Sequence, residues 1–529
     1  MHRPRTHACL AVSLLFLLAL PTRADSTLAG LLHELHSSGR LRIAGTTIVD
    51  TELLQRFYAA RGQQIAWDDA GTRASLVEAV RAVEEEGLRA DDYHPAALAA
   101  AVGLPREQAD LLHTDALIRL ASDHFHGRLD PVTYTPQTDL LAAEPGADPV
   151  LWLERSIAAG AIPTALAELV PRTPLYGRLK AALASYREIA RHGGWGAVAT
   201  GPTLHPGERS VRVPALRARL RASGDLDDSP ADDENLYDAP LAGAVRAFQA
   251  RHLLAVDGVT GIRTQAALNV PVSQRIDQIR VNLERARWLL HDLPPTYVLV
   301  DIAGFEVRYV RDGVELLRSR ATVGRTYRKT PVFRSSISHL EFNPAWTVPP
   351  TILEHDVLPA IRRDPGYLAR RDMRVLTMDG HEVDPGTIDW NHYRGRNFPW
   401  LIRQAPGPHN SLGQIKFTFP NAYMVYLHDT PERALFARPE RTFSSGCIRV
   451  EQARQLARLL LEVEGHDAPH VEALFDDVRT RRVNLANPVP ILLYYWTVTV
   501  AKDATVIFKR DIYDRDAALL AALDRLRSD

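Results

Sequence analysis

Cys447 is the residue whose chemistry has to be explained first. It lies in Ser444-Ser445-Gly446-Cys447-Ile448-Arg449-Val450, and a 15-residue segment separates His428 from that run. A cysteine attacks a carbonyl as its thiolate, and a histidine able to take the thiol proton is the usual activator. Tyr423, Val425 and Leu427 alternate with Met424, Tyr426 and His428, which predicts a strand ending at His428 with the imidazole on the face opposite Leu427. Further on, Ala453, Leu456, Ala457 and Leu460 predict a helix that Gly465 stops. Cys447 is therefore expected in a glycine-containing turn just ahead of a helix, where the helix dipole, Arg449 and His428 would all favour the thiolate. Gly446 permits a tight backbone, so neighbouring amides can converge on a tetrahedral oxyanion. A lone buried cysteine usually acts as a small core hydrophobe. That role has no need of the Ser-Ser-Gly turn, the adjacent arginine and the strand-end histidine.

The only other cysteine is Cys9. Residues 1–24 read as a secretory signal, with basic His2, Arg3 and Arg5, an apolar stretch from Ala8 to Leu20, and small residues ahead of a cut after Ala24. That stretch is too short for the roughly 20 residues of a membrane span. Cleavage would remove Cys9, leave Cys447 without a disulfide partner, and change the net charge from -1 to -4 as Arg3, Arg5 and Arg23 depart. With 63 basic against 64 acidic residues, the bulk charge gives no reason to expect a nucleic-acid binder. No other run is long enough to cross a membrane, so an exported, soluble product is expected.

The elements that must position this chemistry occupy a chain of 529 residues, long enough for three to four folded units. Hydrophobic residues are 46% and charged residues 24%, an ordinary globular balance. Apolar residues recur at helical spacing from Leu76 to Leu88 and from Leu117 to Phe125, with Gly87 and Gly127 as stops. A helical scaffold is expected over 25–205. Over 206–272, Phe248-Gln249 followed by Asp257-Gly258-x-x-Gly261 and a short helix resembles the three-helix peptidoglycan-binding module, with positive backbone angles expected at the Asp-Gly turn and Gly261. A connecting helix spans 273–295. Alternation with a turn at Asp312-Gly313 begins a mainly β domain over 296–480, interrupted by a Pro-, Gly- and aromatic-rich cap over about 349–403. Residues 481–529 are expected to hold strands and a helix that pack on the scaffold. The fold class is thus multidomain α+β.

His428 and Ser444-Ser445-Gly446-Cys447-Ile448-Arg449 resemble the signature of L,D-transpeptidases with a YkuD-type catalytic domain. Glu341 to Pro349, Arg403 to Gly407 and Leu427 to Pro431 are similar to the large periplasmic branch of that family, which combines scaffold, peptidoglycan-binding module and capped catalytic domain. Ser445 replaces the commoner histidine at its position. The resemblance implies a periplasmic enzyme acting on peptidoglycan stem peptides and glycan, without a cofactor, and open to carbapenem acylation at Cys447. Cys447 would attack the carbonyl between meso-diaminopimelate and the terminal D-alanine of a tetrapeptide stem, with His428 as general base and acid. The Asp429 carbonyl would orient the imidazole. Ser444 and the amides of Ser445, Gly446 and Cys447 would serve the oxyanion, and Arg449 would fix the turn or meet a substrate carboxylate. Tyr426, Trp346 and Asn343 are candidate pocket walls. A zinc hydrolase is disfavoured, since no His-Glu-x-x-His occurs and Pro469 separates His466 from His470. An L,D-carboxypeptidase with water as acceptor, or a non-catalytic wall-binding scaffold, are the alternatives.

Overall fold

In the computed structural model residues 27–134, 148–291 and 293–527 are described. The expected signal and Cys9 lie outside them. Apolar side chains gather into four separate clusters, one in each of a scaffold, a small helical module, a large β domain and a cap.

Helices Leu28–Ser38, Glu52–Ala60, Ala70–Ala82 and Arg106–His126 build most of the scaffold around Leu35, Phe57, Leu76 and Leu117. Gly87 and Gly127 lie near the ends of the last two with positive φ. The region is not wholly helical. Arg40–Ile43 and Thr46–Val49 pair as a hairpin, because Ala44 and Gly45 both adopt positive φ and so supply the tight turn that a two-residue loop demands.

The small module explains its own motif. Gln249 is buried, and its amide nitrogen donates to Asp257 Oδ1 at 2.8 Å while its amide oxygen accepts from Gly258 N at 2.8 Å. Gly258 has φ +75°, and a Cβ there would meet the Arg246 side chain. Gly261, by contrast, has φ -82°, so the left-handed requirement falls on Gly258 and not on Gly261.

The β domain is a nine-stranded mixed sheet. Its strands run in the spatial order 442–444, 314–324, 448–450, 427–428, 415–418, 333–342, 481–494, 297–301 and 306–311, and the last pairs back onto 314–324 to close the sheet. Arg481–Tyr494 is a long interior strand, antiparallel to Phe333–Phe342 and parallel to Tyr297–Asp301. This corrects the boundary at 480: the sheet needs this segment between two others, and only a short hairpin, Val498–Val500 with Val506–Phe508, and the helix Asp516–Asp524 follow it. Helices Pro174–Arg191 and Val272–Leu289 also bury Leu179, Leu183, Ile279 and Leu283 in the cluster that holds the sheet core. The first therefore packs on the β domain from within the segment expected to be scaffold.

Scaffold and β domain meet through buried charge. Arg287 donates to Glu284 Oε2 at 2.9 Å and to the Glu86 carbonyl, while Tyr176 donates to Glu86 Oε2 at 2.6 Å. Arg128 pairs with Asp92 at 2.7 Å and reaches the Ala522 carbonyl at 2.8 Å. Removing one member of such a set would strand a buried charge.

The cap spans Trp346 to Gln404. It has a four-stranded sheet of its own and a cluster around Val357, Leu358, Val375 and Ile402. Among the described residues no helix is long and apolar enough to cross a membrane.

Candidate active site

Strands Leu427–His428 and Ile448–Val450 lie side by side and parallel, with Leu427 opposite Ile448 and His428 opposite Arg449. Leu427 and Ile448 point into the core. Alternation then sends Tyr426, His428, Cys447 and Arg449 to the other face, and the Ile448 amide donates to the Tyr426 carbonyl at 3.1 Å, which sets Tyr426 beside Cys447. Only Leu427 and His428 of the expected 423–428 strand take strand form. Met424 has φ +55°, and the chain ahead of it turns.

The expected helix dipole does not reach the thiol. Strand Ile448–Val450 follows Cys447, and the helix Ala453–Val463 begins only after it. Burial pushes the Cys447 thiol above its ordinary value, opposed by hydrogen bonds from Tyr426 and by the charges of Arg449 and Lys416. His428 is buried, and its pKa is pushed down to about 3, first by desolvation and then by Arg449. Both shifts disfavour the charged forms, so burial works against the thiolate that the sequence pattern favours.

His428 Nδ1 donates to the Asp429 carbonyl at 2.5 Å. This fixes the tautomer and leaves Nε2 as the basic nitrogen. The Asp429 side chain is engaged elsewhere: it accepts from Gln414 N at 3.1 Å and Arg433 at 3.0 Å.

The turn before Cys447 is held from several directions. Ser444 Oγ donates to the Cys447 carbonyl at 2.5 Å and accepts from Gly446 N at 3.2 Å. The Gly446 amide is thus spoken for, which leaves the amides of Ser445 and Cys447 as the oxyanion candidates. Gly446 has φ +118°, a conformation that a side chain would strain. Its carbonyl accepts from Thr330 Oγ1 at 2.8 Å; Thr330 Oγ1 accepts in turn from Gly324 N at 2.9 Å. Tyr513, from the C-terminal segment, accepts from Thr330 N at 3.1 Å and donates to the Gly324 carbonyl at 2.6 Å.

Of the candidate walls, Tyr426 and Trp346 are brought to the nucleophile. Burial and the neighbouring Cys447 thiol hold the Tyr426 phenol well above its ordinary range, the Trp346 indole opposing the rise, and Cys447 Sγ lies 4.0 Å from the Met424 carbonyl oxygen. The Tyr426 ring packs edge-on to His428 at 5.7 Å, with Lys416 Nζ over it at 4.8 Å. Asn343 is not a wall. It is buried with φ +45°, and its side-chain amide donates to the carbonyls of Leu474, Phe475 and Asp477, so it closes a turn against the helix Ala468–Asp476. Arg449 Nη1 is paired with Glu432 Oε2 at 2.5 Å. Two residues that local sequence did not single out complete the surroundings: Thr330, described above, and Arg328, whose Nη1 donates to Ser445 Oγ at 2.8 Å and to Asp356 of the cap. Among the described residues no cluster of three or more His, Cys, Asp or Glu could hold a metal ion.

This arrangement coincides with a known domain. Residues 295–491 match the family described as L,D-transpeptidase catalytic domain (YkuD). The chain carries an L,D-transpeptidase catalytic domain of the YkuD family. Residues 52–183 match the family described as Scaffold domain, and 209–268 the one described as "Putative peptidoglycan binding domain". A Haemophilus influenzae protein named "Putative L,D-transpeptidase" is 36% identical over 219 residues, 41% of this chain and 44% of that protein. An N-acetylmuramoyl-L-alanine amidase of Mycobacterium tuberculosis, CwlM, is 43% identical over 75 residues, 13% of this chain and 18% of that protein. The chain thus spans less than half the length of the curated relatives it matches. Among solved structures, the catalytic domain of an E. faecium L,D-transpeptidase acylated by ertapenem gives a TM-score of 0.18 at 14% identity, covering 38% of this chain and 99% of that one. An L,D-transpeptidase of Stackebrandtia nassauensis gives 0.21 at 12% identity, covering 56% and 97%. At such scores these structural likenesses add nothing to the L,D-transpeptidase domain match.

Proposed function

We propose that this protein is an exported L,D-transpeptidase that forms 3,3 crosslinks in peptidoglycan, and that Cys447 is its nucleophile. The observation that carries the reading is the pairing of the strand ending at His428 with the strand that follows Cys447, Tyr426 lying beside the thiol and 5.7 Å from the His428 ring, with Nδ1 of the imidazole committed to the Asp429 carbonyl. The N-terminal sequence pattern and the wall-directed chemistry both favour the periplasm.

The donor is a tetrapeptide stem. Cys447 Sγ bonds to the carbonyl carbon between meso-diaminopimelate and D-alanine as its proton passes to His428 Nε2. Proton transfer accompanies attack, because burial disfavours a standing thiolate and imidazolium. The oxyanion is met by the amides of Ser445 and Cys447. The C–N bond then breaks, the imidazolium returns the proton to the departing D-alanine amine, and a thioester remains. The side-chain amine of a second stem attacks that thioester and gives a proton to His428. The C–S bond breaks, and the imidazolium reprotonates the sulfur. Trp346 and Tyr426 form the wall beside the sulfur. The module at 209–268 would hold glycan near the site. Carbapenems are expected to acylate the same sulfur.

The test is incubation of the protein with disaccharide tetrapeptide and measurement of product masses. A dimer short of one D-alanine supports crosslinking. Tripeptide alone reassigns the protein as an L,D-carboxypeptidase. No turnover, with no carbapenem adduct on Cys447, would sink both and leave the wall-binding scaffold.

A further inference from the structure

Three cations surround the catalytic face: Lys416, Arg449 and Arg328. Lys416 is paired with Glu341 at 3.1 Å and covers the Tyr426 ring. Arg449 is paired with Glu432 beside His428. Arg328 stands on the other side, next to the nucleophile turn. Its Nη1 meets Ser445 Oγ, two residues ahead of Cys447, and the same nitrogen meets the Asp356 carboxylate of the cap.

The two partners of this ion pair are supported unequally. Arg328 belongs to a loop folded hard against Gly324, where a Cβ would fall 2.1 Å from the Arg328 carbonyl. Thr330 and Tyr513 tie that loop to the nucleophile turn. The Arg328 side chain is 11% exposed, with the guanidinium 5.6 Å over the Tyr327 ring. Asp356 is 37% exposed and sits in the π-turn Leu353–Val357 of the cap; such wide turns are frequent at functional sites. A fixed, largely desolvated guanidinium facing a half-exposed carboxylate is a receptor whose carboxylate can be exchanged at small cost.

In the proposed reaction the donor supplies such a group. The leaving residue ends in a free α-carboxylate only a few bonds from the attacked carbonyl, and Arg328 lies beside the turn that presents Sγ. We propose that Arg328 is the receptor for the donor's terminal α-carboxylate, and that this carboxylate competes with Asp356 for it. Donor entry then breaks the cap's ionic tie to the nucleophile turn, and release of the leaving residue restores it. The assignment rests on the transpeptidase reading and names how that site selects its donor.

Acyl-enzyme formation on Cys447, followed by intact mass, should be compared for a tetrapeptide stem ending in D-alanine and for the same stem ending in D-alanine amide. The wild-type protein is expected to prefer the free acid about tenfold in kcat/KM, the discrimination of one charge-assisted contact. Arg328→Gln should bring the two donors to within about twofold by slowing the acid alone, and Arg328→Lys should keep part of the preference. Asp356→Asn should lower KM for the acid donor. Equal loss with both donors in Arg328→Gln would make the residue purely structural and overturn the proposal, as would wild-type indifference to amidation. A preference abolished by Arg449→Gln but kept in Arg328→Gln would move the receptor to Arg449. No acyl-enzyme from either peptide would overturn the transpeptidase reading itself, and this assignment with it.

Discussion

The nucleophile turn and the cap meet at the same few atoms but are attached to the molecule in opposite ways. The turn is held through main-chain groups: Gly446 O by Thr330, Gly446 N and Cys447 O by Ser444, and the Thr330 loop by Tyr513. The cap has an apolar cluster of its own and, besides its covalent ends, reaches the nucleophile by side chains, through Trp346 to Tyr426 and Asp356 to Arg328. Buried backbone hydrogen bonds are costly to leave unmade, whereas half-exposed side-chain contacts exchange readily with water. On the proposed reading, the β domain presets the chemistry and the cap sets access to it.

Substitutions can break this contrast, beginning with the largest effect. Cys447→Ala should abolish acyl-enzyme formation and carbapenem adducts altogether; an adduct that persists would place the reacting group elsewhere. His428→Gln should slow acylation by about 10²–10⁴-fold, read as the rate of adduct appearance with a single donor. The same histidine gives the preset site a pH signature. Its folded pKa of about 3 lies below the ordinary 6.5, so between these values the unfolded chain binds a proton that the folded site refuses. Its contribution to stability is retained above about pH 6.5 and lost as pH falls towards 3. The denaturant midpoint of wild type should therefore fall relative to that of His428→Gln as the solution is acidified, and parallel curves would contradict the neutral imidazole.

Stability effects follow. Leu358→Ala, in the cap cluster, should cost about 2–5 kcal/mol of local stability, seen as faster hydrogen exchange confined to the cap, with alkylation of Cys447 by iodoacetamide little changed. Thr330→Val should cost less, about 1–3 kcal/mol, yet alter the alkylation rate, because it frees Gly446 O and Gly324 N. If the cap substitution disturbs the thiol and the turn substitution does not, the contrast is wrong.

The sequence was most legible where function and local geometry share a short segment. The His428 and Ser444 to Cys447 run, the Asp312-Gly313 turn and the module motif all depend on neighbours in the chain, so their residue types announce them. The environment of Cys447 is illegible in the sequence for the opposite reason. A helix does follow, but three residues of strand intervene and the sheet pairing sets the thiol's surroundings. Asn343 looked like a wall because its left-handed backbone and its tie to residues 474–477 are invisible in a linear pattern. Arg328 lies 117 positions from Ser445, and nothing in its flanking residues marks it. The strand Arg481–Tyr494 was assigned outside the sheet because its apolar run begins late, at Ile491, after a stretch rich in Arg, Asn and Pro.

The buried contacts of the helices Pro174–Arg191 and Val272–Leu289 also bear on how the polypeptide can be divided. A fragment cut at 295 and 491, the limits of the matched catalytic domain, would lack both helices and the strand end at Leu492–Tyr494. Val300 and Phe333, which pair with Leu493, and Ile302, whose amide bonds to the Tyr494 carbonyl, would lose their neighbours. Such a fragment is expected to aggregate on expression, because its ends fall inside a packed core.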